Sequence, residues 1–444
     1  MRSFFGGVHP NDSKKYSADK PIEVAPIPKK AIISLGQHLG APVSAIVKKD
    51  DQVKKGQLIA TSDAFVAANI HASISGTVVD VGDYPHPVGG LAPAVVIESD
   101  GQDAWIDGIP KQNDWEKLDN KQLLQLVRDA GIVGMGGATF PTHVKLAPPP
   151  DKTIDTLIIN GSECEPFLTA DYRAMLEYAD RIKTGTLITM KILGVQTAFV
   201  GIEDNKPEAV KSLQSVFSDT PVKVVALPTK YPQGAEKMLI YALTERAVPS
   251  GGLPMDVSVV VQNVGTVLGI SDAVIQGIPL IQRVVTISGS AVKEPKNLLL
   301  RIGFSVAEAL AMCGGLNGEP AKIISGGPMM GFAQSTMDFT VMKGTSGVLF
   351  LSKSDVNYDK ERPCIHCGGC IETCPMGLNP SMLSILGEKQ FFEEAKEEYD
   401  LLDCMECGSC VYQCPSKRKI VQYIRYCKAQ NAKKAAQQQA KAAI

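Results

Sequence analysis

The residues best suited to chemistry in this sequence are eight cysteines, which form two runs with the same spacing. The runs begin at Cys364 and Cys404, and each reads C-x-x-C-x-x-C-x-x-x-C-P. This pattern is typical of proteins that hold two 4Fe-4S clusters, in which the fourth cysteine of one run ligates the cluster of the other run. It predicts two ligand sets: Cys364, Cys367, Cys370 and Cys414 for one cluster, and Cys404, Cys407, Cys410 and Cys374 for the other.

Zinc sites and disulfide bonds are the alternative uses of so many cysteines. Structural zinc sites usually take two close pairs that a longer spacer separates, which differs from four cysteines in each short run. Disulfide bonds need an oxidising compartment, and the sequence gives no sign of one. Cys164, Cys313 and Cys427 lie outside the runs, and we expect them to be buried, unreactive thiols.

The composition is that of an ordinary globular protein, with 44% hydrophobic residues and a formal net charge of −2. The length predicts about three domains, or more if they are small. Basic residues are not gathered in one domain, so we expect no nucleic-acid partner. The sequence shows neither a signal peptide nor an apolar run long enough to span a bilayer, so we expect a chain that is not exported and has no transmembrane segment.

Changes in local composition predict a multidomain fold that combines α/β and α+β units. Strand and helix signals alternate over residues 116–277, which predicts a parallel sheet. Residues 31–115 instead have short β-branched runs between turns, which predicts small strands. The predicted segments are an irregular N-terminal arm (1–30), a β-rich module (31–115), an α/β domain (116–277), a small strand–helix–strand domain (278–345), a helical cluster domain (346–427) and a flexible tail (428–444).

Two of these segments resemble known small folds. In the β-rich module, VKKDDQVKKGQLIA followed by HASISGTVVDV resembles the barrel-sandwich hybrid of lipoyl and biotinyl carrier domains. Those carriers need an acceptor lysine, and no lysine lies between Lys55 and Lys111. The resemblance therefore implies the fold without the carrier function, and we interpret the module as a binding or docking platform. The segment 278–345 resembles a β-grasp, soluble-ligand-binding domain.

The stretch GMGGATFPTHVKL carries a second chemical signal, because its glycines leave the backbone open to a phosphate or a flat ring. Such a turn is weak evidence alone. Here NGSECEP, YPQGAEKML and VQNVGT follow it in that order, and the whole set resembles the flavoprotein subunit of respiratory complex I and of NAD-linked hydrogenases. The resemblance implies an α/β domain that binds FMN and, over the flavin, NADH.

The resemblance to this flavoprotein family assigns roles to individual residues. It implies that the loop and the next lysine cradle FMN through Gly134, Gly136, Gly137, Ala138 and Lys145. It implies contacts to the ribityl chain or ring from Asn160, Ser162, Glu163 and Asn263, and to NADH from Phe140, Glu165 and Glu236. An alternative interpretation places Glu163 and Glu165 in a solvated loop and Phe140 in the core. Of the histidines, His143 is the one we would test for acid–base chemistry.

Several positions depart from the flavoprotein pattern. Met135 stands where the family's loop commonly has an arginine, and Ala235 replaces a usual acidic residue. Leu146 and Pro148 replace aromatic residues, so the predicted grip on adenine is incomplete. We expect these changes to weaken NADH binding more than FMN binding.

The order of all these parts resembles the C subunit of the Rnf electron-transport complexes. The resemblance implies a peripheral NADH-linked oxidoreductase subunit on the cytoplasmic face of the membrane, with two 4Fe-4S clusters, FMN, NAD(H) and other Rnf subunits as partners. Ferredoxin would be reached indirectly through a partner, in a complex that couples electron flow to ion transport. The alternative is a wiring subunit with a vestigial nucleotide pocket. The A subunit of sodium-pumping NADH:quinone reductases shares the first three domains, but we expect it to lack the cysteine runs.

Overall fold

Four β-sheets organise the chain in the computed structural model, which describes the backbone of residues 3–442. The first eight strands are β1 Ile22–Val24, β2 Lys30–Ser34, β3 Ser44–Ala45, β4 Gln52–Val53, β5 Leu58–Thr61, β6 Ile70–His71, β7 Gly76–Pro85 and β8 Leu91–Ser99. Seven of them form two small sheets, in the orders β2-β8-β7-β4 and β3-β5-β6. This unit is the predicted barrel-sandwich hybrid. Residues 94–97 of β8 are all buried. Val95 and Ile97 belong to a core that also contains residues between 285 and 350, so the sheet is covered by a neighbouring unit.

The α/β domain is a doubly wound parallel sheet. Its elements are α1 Asn120–Asp129, α2 Thr142–Lys145, β9 Thr156–Asn160, α3 Ala170–Glu177, α4 Ala179–Leu193, β10 Thr197–Glu203, α5 Pro207–Val216, β11 Val222–Leu227, α6 Glu236–Thr244, β12 Val259–Asn263 and α7 Val264–Gln276. The four strands run parallel in the order β11-β10-β9-β12. Helices cover both faces of such a sheet, which is why β9 and β12 are continuous apolar runs.

The strand order of this sheet determines where a ligand can enter. From β9 the chain moves to β10 and β11 on one side, and then crosses to β12 on the other side. Ligands of open α/β sheets bind beyond the carboxyl ends of the strands at such a reversal. Asn160 and Asn263 end the two strands and lie opposite each other in the register. The fold therefore places two of the predicted FMN residues at the expected crevice.

A tight helix crossing beneath this sheet gives a stability prediction. A Cβ added to Gly185 of α4 would lie 1.9 Å from the carbonyl oxygen of Val267 in α7. Alanine gains about 1 kcal/mol of helix propensity over glycine. Overpacking typically costs about 1–3 kcal/mol, and occasionally more, and a clash with rigid backbone belongs to the upper end of this range. We expect Gly185→Ala to lower the thermal unfolding temperature by several degrees. Thr184→Ala, one residue away and partly exposed, is the matched control, and an unchanged Gly185→Ala midpoint would contradict the prediction.

The third unit has a six-stranded sheet that includes residues from beyond both ends of its predicted range. Its elements are β13 Gln282–Ser288, β14 Lys296–Arg301, α8 Val306–Met312, β15 Lys322–Ser325, β16 Phe332–Gln334 and β17 Gly347–Leu351. The strand order is β1-β14-β13-β17-β15-β16. The arm predicted as irregular therefore supplies one strand, because Ile22–Val24 pairs in parallel with β14. The central strand β17 lies beyond residue 345, the predicted end of this domain.

The barrel-sandwich unit and the β-grasp unit share one hydrophobic core. Ile33 and Ile74 of the first belong to the same buried cluster as Leu298 and Phe304 of the second. The α/β domain has a separate large core around β9 and β10, to which Leu123 of α1 belongs. We infer that the first and third units are held as one body, on which the α/β domain is mounted.

The cluster domain is helical, as the sequence predicts. Its helices are α9 Gly369–Glu372, α10 Pro380–Lys389, α11 Phe392–Glu397, α12 Ser409–Gln413 and α13 Ile420–Ala442. Short 3-10 helices lie at Lys353–Asp355 and Leu401–Asp403 of this domain, and at Lys14–Tyr16, Trp115–Lys117 and Pro254–Val257 in the rest of the chain. Residues 428–442 of the segment predicted as a flexible tail continue α13, and Asn431 donates to the carbonyl of Phe392 at 2.8 Å, while residues 443–444 lie outside the described part. Within residues 3–442, no helix has the length and apolar character needed to cross a bilayer.

Candidate functional site

The eight cysteines of the two runs surround two separate cavities. One is lined by Cys364, Cys367, Cys370 and Cys414, and we call it the outer cavity. The other is lined by Cys374, Cys404, Cys407 and Cys410, and we call it the inner cavity. Each cavity thus brings together three cysteines of one run and the fourth of the other, which is the grouping predicted from the spacing.

The two cavities differ in their exposure to solvent. Cys374, Cys407 and Cys410 of the inner cavity are buried. In the outer cavity Cys367 is exposed, and the neighbouring Ile365 is 65% exposed. Among the described residues, no three histidine, cysteine or acidic side chains meet closely enough to hold a single metal ion. Each cavity has four thiols around one space, which is the donor set that a 4Fe-4S cluster requires.

The inner cavity lies against the α/β domain. The Tyr231 hydroxyl donates to the carbonyl oxygen of Cys407 at 2.7 Å. The segment Gly6–Val8, which we call the strap, lies between the cluster domain and the α/β domain. The N–H of Gly7 donates to the carbonyl oxygen of Thr373 at 2.9 Å, and Val8 exchanges two backbone hydrogen bonds with Tyr231. The arm, the flavin-type domain and the cluster domain therefore meet at the inner cavity.

The glycine-rich loop lies at the crevice between β9 and β12. Gly136, Gly137 and Ala138 are exposed, so their backbone is open to a ligand. A Cβ on Gly136 would lie 3.1 Å from that of Asn263, which shows how closely the loop approaches the strand end. The N–H of Gly134 donates to Phe140 at 2.9 Å and closes the loop, leaving the Phe140 side chain half-buried at its end.

Lys145 and Glu236 form an ion pair at the mouth of this crevice. The Lys145 ammonium donates to Glu236 at 2.7 Å and to the carbonyl oxygen of Val261 at 2.7 Å. Nearby, the side-chain amide of Asn160 donates to Gly234 at 2.8 Å. The loop, the lysine, the two asparagines and Glu236 are thus brought together at the crevice, and their contacts to FMN and NADH stay predictions.

Ser162 and Glu163 lie deeper than these residues. The Ser162 hydroxyl donates to Gly201 at 3.2 Å, and Glu163 accepts the N–H of Asp171 at 2.9 Å at the start of α3. Burial raises the pKa of Glu163 to about 7. Asp171 also accepts from the amide of Asn263 at 2.7 Å. Glu163 therefore supports the crevice through Asp171, a residue that sequence reasoning missed, and the solvated-loop alternative for Glu163 is wrong.

Glu165 is engaged by the β-grasp domain. Its carboxylate accepts the N–H groups of Met329 at 3.0 Å and Met330 at 2.8 Å. Burial raises the pKa of Glu165 to about 7, although these two donors act in the opposite direction. The residue predicted to face NADH thus joins two domains, and the solvated-loop alternative does not describe it.

His143 points away from the crevice. It is buried, and its Nε2 lies 2.9 Å from the carbonyl oxygen of Phe65 in the barrel-sandwich unit. Burial lowers its pKa. His143 therefore contributes to the domain contact, and its position gives no support for an acid–base role at the flavin loop.

Two buried cations lie behind the glycine-rich loop, and neither was found from the sequence. The Arg283 guanidinium donates to the carbonyl oxygens of Met135, at 3.4 Å, and Lys343. The Lys343 ammonium donates to Asn69 at 2.6 Å and Gly131 at 2.7 Å. Burial lowers the pKa of Arg283 to about 10, so it stays charged at neutral pH. A guanidinium thus approaches the loop from the β-grasp domain, although the loop's own arginine is replaced by Met135.

The buried ammonium of Lys343 gives a pH prediction. Burial lowers its pKa to about 7, whereas the unfolded lysine titrates near about 10.4. Between these values the unfolded chain binds more protons, so stability rises with pH. We expect a gain of about 2 kcal/mol from pH 7 to pH 9 that Lys343→Met lacks. His71 beside it, with a pKa of about 3, stays neutral throughout. Thermal unfolding of both proteins at the two pH values provides the measurement, and equal slopes would contradict the prediction.

The three cysteines outside the runs differ in burial. Cys313 and Cys427 are buried, as expected, while Cys164 is partly exposed. The Cys164 sulfur accepts the N–H of Gly234 at 3.3 Å. Cys164 therefore lies beside the loop that joins the crevice to the inner cavity, and burial raises the pKa of its thiol.

Family models cover most of the chain in the order seen in the structure. The matches are an RnfC barrel sandwich hybrid domain at residues 2–102, a Nuo51 FMN-binding domain at 127–272, an SLBB domain at 284–333 and a 4Fe-4S dicluster domain at 356–415. The predicted fold class is therefore confirmed, together with the FMN and 4Fe-4S character of its domains.

The chain is 66% identical over 431 residues to the C subunit of a proton-translocating ferredoxin:NAD+ oxidoreductase complex from Clostridium ljungdahlii, covering 97% of this chain and 94% of that protein. It belongs to the RnfC family. A sodium-translocating relative from Acetobacterium woodii is 45% identical over 96% of each chain. A relative from Pseudomonas aeruginosa is 42% identical over 97% of this chain, which spans 56% of that longer protein. The predicted resemblance to this family is confirmed.

Among solved structures, an NAD+-reducing NiFe hydrogenase aligns with a TM-score of 0.50 and 18% identity, over 70% of this chain and 63% of that chain. At this identity the match concerns the fold.

The residues of both sites fit the groups that these family models imply. Each cavity of the cluster domain has four thiols as sulfur donors for a 4Fe-4S cluster. At the crevice, exposed glycine backbone meets two asparagine side chains. Beside it, both amide atoms of Gln233, which is fully buried, have no hydrogen-bond partner among the described residues. A bound group near this loop would satisfy such a side chain.

Proposed function

We propose that this chain is the NADH-linked oxidoreductase subunit of an Rnf-type complex, peripheral to the membrane on its cytoplasmic side. It would exchange a hydride with NAD(H) at the crevice and connect, through its thiol-lined cavities, to partner subunits. Ion transport would belong to the whole complex, and ferredoxin would act on a partner. The observation that supports this most directly is the short Tyr231–Gly234 segment, which links the crevice to the inner cavity.

FMN bound in the crevice would supply the conversion between a two-electron hydride and single electrons. The exposed backbone of Gly136 and Gly137 would face its phosphate or ring, and the Lys145 ammonium would donate to an anionic group of FMN. Asn160 and Asn263 offer amide groups from the two strand ends. Because Arg283 and Asp171 fix the loop and Asn263 from behind, these donors are held in place before the ligand binds.

The proposed NADH residues differ in how free they are. Phe140 is half-buried at the end of the loop, where its ring is available for stacking. Glu236 is paired with Lys145 but its side chain is 40% exposed, so it can accept from a ribose hydroxyl. Glu165 already accepts two N–H groups, and we propose that it positions the β-grasp turn beside the nucleotide.

The burial of the cysteines supports an order for the two cavities. The inner cavity is in contact with the flavin-type domain, whereas the outer cavity opens to solvent at Cys367 and Ile365. We therefore assign the outer cavity to the side that meets a redox partner. Exposed Ile371 and Tyr412, 40% and 49% exposed, extend an apolar rim that a partner would cover.

The engagement of Glu165 by Met329 and Met330 favours one alternative, a wiring subunit without NADH chemistry. Both functions require iron, but they differ in flavin and in the response to NADH. The test is anaerobic: purify the full chain, measure flavin and iron, add NADH and follow bleaching of the flavin and cluster absorbance.

Bleaching of both chromophores, lost in Phe140→Ala while iron content is unchanged, would support the proposal. Phe65→Ala, an exposed phenylalanine of the barrel-sandwich unit, is the matched control. Full iron with no flavin and no response to NADH would refute the oxidoreductase role for the isolated chain and favour the wiring function.

A further inference from the structure

Tyr231 lies between the crevice and the inner cavity without being a ligand of either. Its side chain is 2% exposed, and its hydroxyl donates to the carbonyl oxygen of Cys407 at 2.7 Å. Three residues later, the carbonyl oxygen of Gly234 accepts from Asn160 at 2.8 Å. One short segment therefore touches a cysteine of the inner cavity and an asparagine of the crevice.

The strap fixes the backbone of Tyr231 from the other side. Val8 donates to and accepts from Tyr231, at 2.8 and 2.9 Å, while Gly7 donates to Thr373, the residue before Cys374. At Gly7 the backbone φ is +81°, and a Cβ would lie 2.6 Å from the carbonyl oxygen of Tyr231. Only glycine fits this contact without displacement. Tyr231 is thus tied to both runs of cysteines that line the inner cavity.

The hydroxyl of Tyr231 is held as a hydrogen-bond donor. A phenol ordinarily titrates at about 10, so this hydroxyl keeps its proton at physiological pH. The hydroxyl donates to the backbone carbonyl oxygen of Cys407 and not to its sulfur, so it acts on the cluster through space and through the position of Cys407. An O–H dipole whose positive end lies on the Cys407 side favours the added electron. Hydrogen bonds and burial around a cluster are established determinants of its reduction potential.

We propose that Tyr231, clamped by the strap, is a positioning residue that holds the inner cluster against the flavin crevice and raises its reduction potential. The biological purpose of this residue rests on the proposed function. Its test does not, because the test reduces the cluster with dithionite and not with NADH. In reduction the cluster gains one electron, which dithionite supplies in the experiment, and the tyrosine neither gains nor loses a proton. Removing the hydroxyl takes away a favourable dipole and one of the ties to Cys407.

The experiment is a redox titration of the full chain with dithionite and mediators, followed by electron paramagnetic resonance. The signal of the inner cluster is the one lost in Cys407→Ala. In Tyr231→Phe we expect full iron content and a threefold to tenfold lower equilibrium constant for reduction of that cluster, by order of magnitude, where tenfold equals about 59 mV for one electron. The outer cluster should keep its potential.

Gly7→Ala provides a second variant that keeps the hydroxyl but displaces the strap, and we expect a shift in the same direction. Tyr426→Phe, an exposed tyrosine of α13, is the matched control. A wild-type potential in both Tyr231→Phe and Gly7→Ala overturns the proposal, as does an equal shift in the control. If the wild-type chain holds both clusters but does not respond to NADH, the proposed function is refuted. The comparison of cluster potentials between the wild type and the Tyr231 and Gly7 variants remains valid.

Discussion

Cys364→Ala combined with Cys414→Ala should leave one intact 4Fe-4S cluster, whereas Cys364→Ala combined with Cys374→Ala should leave none. The first pair removes two thiols from the outer cavity and leaves the inner cavity complete. The second pair removes one thiol from each cavity. Iron analysis of the first variant should give about four atoms in place of about eight, and the reduced protein should show one unperturbed cluster signal by electron paramagnetic resonance.

The opposite result would mean that each run binds its own cluster. In that case the pair within one run, Cys364 and Cys374, would spare a cluster, and the pair across runs would damage both. Cys313→Ala and Cys427→Ala are matched controls, since both thiols are buried outside the cavities. Each control should retain the iron content and both signals of the wild type.

Lys145→Met should release FMN while the iron content is retained. The Lys145 ammonium is held near the carboxyl end of β12 by its hydrogen bonds to Glu236 and to the carbonyl oxygen of Val261. A hydrogen bond to a charged group contributes about 1.5–3 kcal/mol, so we expect flavin affinity to fall about tenfold to a hundredfold. Fluorescence titration of FMN into the flavin-free protein measures this change.

Lys152→Met is the control for the loss of a positive charge. Lys152 pairs with Asp256 at 2.8 Å on the same domain, outside the crevice. The control should bind FMN with wild-type affinity. Equal affinities in Lys145→Met and the wild type would contradict the assignment of Lys145 to the flavin site.

The cysteine grouping was predictable because cluster geometry is encoded in local spacing. Three ligands of each cluster lie within seven residues of one run. The fourth comes from the other run, at the position that the known two-cluster pattern gives it. The doubly wound sheet was predictable for a similar reason, since apolar strands alternate with amphipathic helices. The location of Asn160 and Asn263 then follows from the strand ends.

The roles of Glu165 and Arg283 were not predictable, because each depends on a contact far away in the sequence. Glu165 meets Met329 and Met330 of another domain, and Arg283 meets the loop at Met135. Spacing gives no information about such pairs. The strand β1 was missed for the same reason: three residues in a proline-rich arm carry no periodic signal, and their partner β14 comes much later.

The strap has a consequence for the biogenesis of the protein. Gly7 is translated long before its partner Thr373, because the two residues lie far apart in the sequence. The strap must therefore stay unpaired during synthesis until the cysteine-rich segment has emerged. Docking of the strap and completion of the inner cavity consequently belong to the same late step of folding.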